Sequence, residues 1–407
     1  MFEKLLSCAT ALRRHQDGPF AAERERYLQH CSDSGATYGS LRIKCNELLW
    51  AAELLDVKAK DGIDMEKLES MADRRMAFQN APTTRPRFMD ATRPWLRFLG
   101  WWKEPVVAYE FQGKLDQYHR WMRDERGFSD STIVGWLCRV RDFLIWCNTN
   151  GRALPRLRPS DIDDYFIDDG AHHWSRRTVA TMAAALRTFL RYGASQGWCD
   201  PQLASAIRGP RIYAQESLPF APGWEDVRRL LAATLTDDPH DIRARAILML
   251  LAIYGLRATE VATLRLDQVD WQQRVIRIFR LKRRQPQVYP LLPSVAQALA
   301  RYIDIVRPST PHPEVFISLH SPRRPLTRAA IYKVVSARFL ALGIEVAHRG
   351  PHALRHACAT RLVAEGFTIK EIGDHLGHRS ASATRTYAKV NLAALREVGD
   401  FDLGDLQ

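Results

Sequence analysis

The residues whose types could perform chemistry lie in one stretch near the C-terminus, residues 350–390. His352 and Arg355 are three residues apart, and this spacing places two side chains next to each other on a helix. His378 follows a Leu-Gly pair, and Tyr387 lies nine residues further on. Guanidinium groups stabilise negative charge, imidazoles transfer protons, and a phenolate is a nucleophile. The stretch therefore combines a candidate nucleophile, candidate proton-transfer groups and a fixed positive charge.

Two predicted helices, and the turns that end them, position these side chains. Gly366 is a natural stop for the helix that begins near residue 352. Thr368 and Glu371 have the spacing of a capping box, which starts a second helix. Gly377 ends that second helix immediately before His378. Two chain reversals are therefore expected to gather the histidines, the arginine and the tyrosine into one neighbourhood.

A second motif, YGLRATEVATL (254–264), supplies another arginine. Arg257 follows a nearly apolar run, and Glu260 lies three residues after it. An arginine at the end of a helix also has a structural interpretation, because it offsets the helix dipole. Glu260 is predicted to be a salt-bridge or capping partner that supports Arg257.

A basic hairpin is predicted between these two motifs. RVIRIFRL (274–281) and QVYPLL (287–292) have the composition of strands, and the basic loop KRRQPQ (282–287) joins them. Lys282 begins the loop, where a lysine could donate a proton. Its basic neighbours are predicted either to follow a phosphate backbone or to lie in solvent; they are Arg280, Arg283 and Arg284.

These motifs resemble those of the tyrosine recombinases, or phage-integrase family, which cut and rejoin DNA through a phosphotyrosine. The family has an H-x-x-R motif, an L-G-H motif, a tyrosine about nine residues later, an upstream G-L-R-x-[ST]-E box and a hairpin lysine. The three boxes occur here in the family's order and spacing, and the resemblance covers roughly residues 105–400. The matching residues are His352, Arg355, His378, Tyr387, Arg257, Glu260 and Lys282.

The resemblance implies roles that agree with the chemistry of the side chains. An attacked phosphodiester gains negative charge, which Arg257 and Arg355 would stabilise. An unperturbed tyrosine has a pKa of about 10 and is almost fully protonated at pH 7, so Tyr387 needs a base before it can attack. His352 is the candidate base.

The remaining roles concern the leaving group and the choice of cofactor. Lys282 would give a proton to the leaving 5′-hydroxyl. His378 would donate a hydrogen bond to a non-bridging oxygen or hold the helix of the tyrosine. This scheme needs no cofactor, no metal and no nucleotide. His352 and His356 do have a metal-binding spacing, but they lack an adjacent glutamate and an obvious third ligand.

The resemblance also implies partners. Double-stranded DNA recombination sites would be bound by a homo-tetramer that passes through a Holliday junction, or by a mixed assembly with related recombinases. The activity would integrate or transpose a mobile element. Two alternatives stay open: a type IB topoisomerase, which shares the tyrosine and arginine chemistry, and a catalytically idle accessory member that binds DNA.

The chain length suggests two or three domains, since 407 residues are present and a domain has about 150. Residues 1–100 are predicted to be a helical region that binds arm-type DNA sites or a partner. Residues 105–200 are predicted to be a helical bundle, the SAM-like core-binding domain of the family. Four prolines mark a linker at 201–222, and a mixed α+β catalytic domain occupies 217–407. The predicted fold class is mainly α with a small antiparallel sheet.

Composition limits the class of protein further. The net charge is +13, and residues 211–407 carry 28 Lys and Arg against 19 Asp and Glu, which favours a polyanionic partner. The seven cysteines are scattered without a C-x-x-C pair, which indicates reduced thiols in a cytosolic protein. The longest apolar runs are shorter than the roughly 20 residues of a membrane span. We expect a bacterial cytoplasmic protein that associates with DNA and not with a membrane.

Overall fold

The computed structural model describes residues 1–55, 60, 62–104, 109–170, 173–212, 221–280, 285–378 and 384, the side chains of residues 169 and 285 excepted. The predictions for Lys282, Arg283, Arg284 and Tyr387 lie outside the described residues.

The chain divides into two compact units. One combines Met1–Pro105 with Ser217–Gln407, and the other is Val106–Glu216. Within the first unit, the backbone N–H of Arg323 donates to the carbonyl of Ser34 at 3.0 Å. The sequence treated residues 1–100 as a separate region, whereas the structure groups them with the C-terminal part of the chain.

The N-terminal part of the first unit is helical, as predicted. Leu28, Leu48, Phe88 and Trp95 are fully buried in its own core, because apolar residues recur at three- and four-residue spacing along its helices. The helices are α1 (Phe2–Leu5), α2 (Ala9–Asp17), α3 (Ala21–Asp33), α4 (Tyr38–Leu54), α5 (Met65–Phe78) and α6 (Thr84–Leu99).

The second unit is also helical and has a separate core. Tyr118, Phe143, Tyr165 and Phe189 are buried together at its centre. The Ser175 side chain accepts a hydrogen bond from the Thr178 N–H at 3.2 Å, so it caps the long helix that follows. The helices are α7 (Gln112–Arg120), α8 (Asp130–Thr149), α9 (Pro159–Tyr165), α10 (Arg176–Ser195) and α11 (Leu203–Ala206), with π-helical turns at Trp121–Glu125 and Phe166–Gly170 and a 3₁₀ turn at Leu154–Arg156.

The C-terminal part of the first unit packs helices around a buried one. The nearly apolar run before Arg257 forms α13, and its side chains enter one core together with Val295, Phe316 and Phe339. The helices are α12 (Trp224–Ala232), α13 (Pro239–Ile253), α14 (Ala258–Ala262), α15 (Pro293–Arg301), α16 (Arg328–Ala341), α17 (Pro351–Ala364) and α18 (Ile369–Leu376), with a 3₁₀ turn at Leu266–Gln268 and a π-helical turn at Tyr302–Val306.

A three-stranded antiparallel sheet lies beside these helices, in the order β1-β2-β3. The strands are β1 (Val269–Asp270), β2 (Val275–Arg280) and β3 (Gln285–Pro290). In register, Ile276 faces Tyr289 and Ile278 faces Gln287. The predicted hairpin is confirmed, with β3 beginning two residues earlier than expected. The two-residue strand β1 was not predicted, because a strand of that length has no periodicity to detect.

Two predictions from composition can be compared with this structure. All seven cysteines are free thiols, five of them buried, as their scattered spacing indicated. In the parts of the chain that the structure describes, no helix is both long enough and apolar enough to cross a lipid bilayer.

Candidate active site

Arg257 stands at the start of α14, where Glu260 holds it in two ways. One Glu260 oxygen accepts the backbone N–H of Arg257 at 2.8 Å, and the other accepts its Nη1–H at 2.8 Å. The capping acid and the salt-bridge acid are therefore the same residue. The Glu260 side chain is 1% exposed and that of Arg257 is 18% exposed, so part of the arginine side chain remains accessible.

Arg355 lies on α17 and points into the protein. Its Nη1–H donates to the carbonyl of Gly255, and its Nη2–H donates to the carbonyl of Leu376 at 2.7 Å. The first bond ties α17 to the turn that carries Arg257, and the second ties it to the end of α18. The Arg355 side chain therefore connects α17 both to the turn before α14 and to the end of α18.

The end of α18 has the geometry that its sequence predicted. The Thr368 N–H donates to Glu371 at 2.8 Å and the Glu371 N–H donates to Thr368 Oγ1 at 3.2 Å, which confirms the capping box. Gly377 has a φ of 63°, the left-handed conformation that terminates helices and favours glycine. The chain then turns so that the His378 N–H donates to the Gly373 carbonyl at 2.9 Å.

His378 is buried next to the two arginines. Its Nδ1 lies 2.7 Å from Thr384 Oγ1, a contact that fixes the orientation of the ring. Burial lowers the pKa of His378 to about 3, with Arg355, Arg257 and Arg280 adding further positive charge around it. The imidazole is therefore neutral near pH 7, and each of its nitrogens has a defined role as donor or acceptor.

His352 and His356 stack on the exposed side of α17. Their ring centroids are 5.9 Å apart with an interplanar angle of 27°. His352 is exposed and His356 is half-buried behind it. Burial, together with the charges of His352 and Arg355, lowers the pKa of His356 to about 4. His356 is thus a neutral support for the ring of His352.

The structure buries Arg280, which the sequence predicted either to follow a phosphate backbone or to lie in solvent. Its side chain is 1% exposed and bonds to Glu260 through Nη1 at 2.6 Å. Its Nη2–H donates to the carbonyl of His375 at 3.0 Å, and its Nε–H donates to Gln287 at 2.8 Å. The basic run suggested a surface loop, but alternation along β2 turns this arginine toward the interior.

Three residues around Arg280 were not singled out from the sequence. Gln287 donates to the carbonyl of Asp374 at 2.8 Å, and Tyr289 donates to the carbonyl of His375. Burial raises the pKa of Tyr289 to about 12, so it remains a hydrogen-bond donor. The His375 ring packs edge-on against Tyr289. Period-two alternation places Gln287 and Tyr289 on one face of β3, but nothing in the sequence identifies the carbonyls that they meet.

Positive charge is concentrated at this site by three arginines. Arg257, Arg280 and Arg355 all reach the last carbonyls of α18, where the helix dipole is negative. Among the residues that the structure describes, no group of three or more His, Cys, Asp or Glu side chains is placed to hold a metal ion.

Comparison with known proteins decides the family. The model of the phage integrase family matches residues 224–393, and the model of its N-terminal SAM-like domain matches residues 115–197. A candidate integrase/recombinase of Sinorhizobium fredii, y4rA, is 31% identical over 399 residues, which is 95% of each chain. This chain belongs to the tyrosine recombinases of the phage integrase family. Members of this family cleave and rejoin DNA.

Other similar proteins agree with this assignment. The tyrosine recombinase XerD of Listeria innocua is 28% identical over 290 residues, covering 70% of this recombinase and 96% of XerD. The structure of XerH bound to a palindromic difH substrate has a TM-score of 0.55 at 16% identity, covering 93% of this recombinase and 94% of that chain. A lambda integrase dimer on a core site has a TM-score of 0.52 at 16% identity, with 73% and 99% coverage. The predicted fold class is confirmed by these folds.

Proposed function

We propose that this recombinase is site-specific and that Tyr387 is its nucleophile. The observation that carries the proposal is the convergence of Arg257, Arg355 and His378 at the end of α18. Tyr387 follows His378 by nine residues in the sequence, and His352 is exposed on the adjacent helix. A phosphodiester placed against the two guanidiniums would meet groups of the types that transesterification needs.

The proposed reaction exchanges one phosphate ester for another. Tyr387 Oη attacks phosphorus, the bond from phosphorus to the 5′-oxygen breaks, and a 3′-phosphotyrosyl ester forms. His352 takes the tyrosine proton and Lys282 gives a proton to the leaving 5′-hydroxyl. A 5′-hydroxyl from another strand then attacks the phosphotyrosine and releases the enzyme. Because the ester bond is conserved in each step, the cycle needs no nucleotide.

Arg257 and Arg355 stabilise the added negative charge in the transition state. Glu260 keeps the Arg257 guanidinium in place, and the arginine side chain remains partly accessible. Burial and the surrounding arginines keep His378 neutral. Its imidazole donates a hydrogen bond to a non-bridging phosphate oxygen. These roles complete the proposed set of site residues.

The proposed partner is a pair of double-stranded recombination sites. Solved relatives include a lambda integrase tetramer on a Holliday junction and the integrase of the Tn1549 transposon bound to transposon right-end DNA. By analogy we assign this recombinase a tetramer on DNA, built from its own copies or with related recombinases, and the integration or transposition of a mobile element in the bacterial cytoplasm. Residues 105–200 would contact the core site, residues 217–407 would carry the chemistry, and residues 201–222 would link them.

A suicide-substrate experiment tests the proposal. The full chain is incubated with EDTA and nicked duplexes taken from the DNA that flanks its own gene, and the products are run on a denaturing gel. We expect a covalent protein–DNA band that Tyr387→Phe abolishes and Tyr332→Phe, a matched change at an exposed tyrosine, retains.

The other outcomes separate the alternatives. A band that survives Tyr387→Phe would mean that another residue is the nucleophile. Specific binding without any band would favour an accessory member that does not cleave. Relaxation of a supercoiled plasmid that lacks these duplex sequences would favour topoisomerase activity.

A further inference from the structure

We propose that Arg280 is a positioning residue that ties the β2–β3 hairpin to the rest of the active site. It would hold the carbonyl end of α18, and so His378, in one place, and it would fix Glu260 against Arg257. The inference rests on the proposed function, because it concerns the same site. It differs from the surface role that the basic run suggested.

The sheet register explains how Arg280 reaches so far. Ile276, Ile278 and Arg280 alternate onto one face of β2, and Ile278 pairs with Gln287 on β3. The Arg280 guanidinium leans back along the hairpin over Gln287 and the Tyr289 ring, whose centroid lies 5.4 Å away. Both strands therefore present polar groups to the end of α18.

Several bonds converge on this one guanidinium. Arg280 donates to Gln287, Glu260, the Tyr289 hydroxyl and the His375 carbonyl. These acceptors lie in different directions around a planar fork, which a guanidinium can satisfy and a lysine ammonium cannot. The residue thus joins β3, the start of α14 and the end of α18 at a single point.

Glu260 is shared between two arginines. One carboxylate accepts N–H groups from Arg257 and from Arg280, and both the Glu260 and Arg280 side chains are 1% exposed. With Arg280 absent, the Glu260 oxygen that also accepts the Arg257 backbone N–H would lose one of its two partners. Arg257 would then be anchored by a carboxylate that can move, and a misplaced guanidinium stabilises a transition state less well.

The position of Arg280 at the end of β2 connects its hydrogen bonds to the hairpin. It is the last residue of β2, two positions before Lys282. A displacement of the hairpin would therefore also displace Glu260 and the end of α18, through their hydrogen bonds to Arg280. The arginine couples the placement of β2 and β3 to the placement of Arg257 and His378.

The first test measures hydrogen–deuterium exchange in the absence of DNA. Arg280→Met should raise deuterium uptake in the peptide that covers the last turn of α18 and His378. Arg307→Met is the matched control, since Arg307 also holds three backbone carbonyls, those of His312, Glu314 and Val315, in the same unit. It should leave uptake in the α18 peptide unchanged. Unchanged uptake in Arg280→Met would overturn the proposal whether or not the chain cleaves DNA.

The second test separates positioning from DNA contact and from folding. In the suicide-substrate assay at saturating duplex, Arg280→Met should slow covalent band formation by at least about tenfold. Binding of the same duplex should change by less than about twofold, with the salt dependence retained. Arg280→Lys, which keeps the charge but not the fork, should recover binding and thermal stability more fully than the cleavage rate.

Each contrary result has a separate meaning. Weaker binding with a salt slope reduced by about one would show that Arg280 contacts phosphate directly, against this proposal. A cleavage rate that falls no further than in Arg307→Met, at an equal loss of thermal stability, would show a purely structural arginine. A wild-type chain that forms no band at all would contradict the proposed function, and the exchange experiment would still decide the role of Arg280.

Discussion

At the scale of single residues, the site is built from charged groups that protein atoms already hold. Arg257 and Arg355 each donate to a backbone carbonyl at the end of α18, so their forks are oriented before any ligand arrives. His378 lies among these charges and is kept neutral by them and by burial. Preorganised donors of this kind stabilise developing charge without reorganising during the reaction.

The low pKa of His378 makes stability depend on pH. The folded-state pKa of about 3 lies below the usual value of 6.5, so the unfolded chain binds the proton more readily. The contribution of neutral His378 to the free energy of unfolding is complete above pH 6.5 and is lost as the pH falls toward the folded-state pKa. When the pH falls from 7 to 5, the free energy of unfolding should decrease in wild type by about 1 to 2 kcal/mol more than in His378→Gln.

Urea unfolding at the two pH values measures this difference. The groups that face His378 are Arg355 and His356 on α17, Arg257 before α14 and Arg280 on β2. His320→Gln is the control at an exposed histidine and should follow wild type. An equal pH dependence in wild type and His378→Gln would contradict the prediction.

Glu260 should matter more to stability than an exposed acid does. Glu260→Gln removes the charge that two arginines share in the interior, and breaking a buried pair in this way costs about 3 kcal/mol or more. Glu225→Gln, which removes a surface partner of Arg228, should change stability little. Urea unfolding of both variants is the measurement, and similar midpoints would show that the buried pairs contribute no more than the surface one.

At the scale of elements, the end of α18 is where α17, β2, β3 and the turn before α14 meet. The carbonyls of its last residues accept hydrogen bonds from Arg280, Gln287, Arg355 and Arg257. A helix end normally leaves its last carbonyls without intrahelical partners, and here side chains from other elements supply them. The position of His378 is therefore set by packing between elements and by the turn at Gly377.

A matched pair of glycine variants tests whether packing at the end of α18 affects cleavage. Gly366 and Gly377 both have left-handed φ values, 86° and 63°. A Cβ at Gly377 would lie 2.7 Å from Arg280 Nε, whereas a Cβ at Gly366 would meet no atom within 4 Å. Both Ala variants should lose about 1 kcal/mol of stability through backbone strain. Only Gly377→Ala should also slow cleavage, because it displaces Arg280; equal cleavage rates in the two variants would contradict this.

At the scale of the whole molecule, three parts of the chain each have a core of their own. The N-terminal helices, residues 106–216 and the C-terminal helices each bury their own cluster of apolar side chains. XerD of Listeria innocua aligns with 70% of this chain over 96% of its own length, so nearly all of that relative corresponds to only part of this chain. The N-terminal helices share no cluster of buried apolar side chains with the C-terminal helices.

Deletion of residues 1–104 should therefore leave a folded protein. The core around α13 includes no residue from that region. Deleting the region removes the hydrogen bond from Arg323 to Ser34, but it removes no contact of the site described above. We expect a cooperative thermal transition and a covalent band with the duplexes that wild type cleaves. Circular dichroism and the suicide-substrate gel provide the readouts. An unfolded or aggregated truncated chain would show that the N-terminal helices are needed for folding.

The sequence by itself determined the family, the helical character and the local turns of this protein. The Thr368–Glu371 capping box, the left-handed Gly377 and the β2–β3 hairpin follow from residues close together in the chain, so local patterns were sufficient to predict them. The roles of Lys282 and Tyr387 remain predictions. Only the tertiary structure decided that Arg280 is internal and that three arginines meet the end of α18. Those contacts join residues up to 120 positions apart, and no local pattern specifies which distant carbonyl a guanidinium will meet.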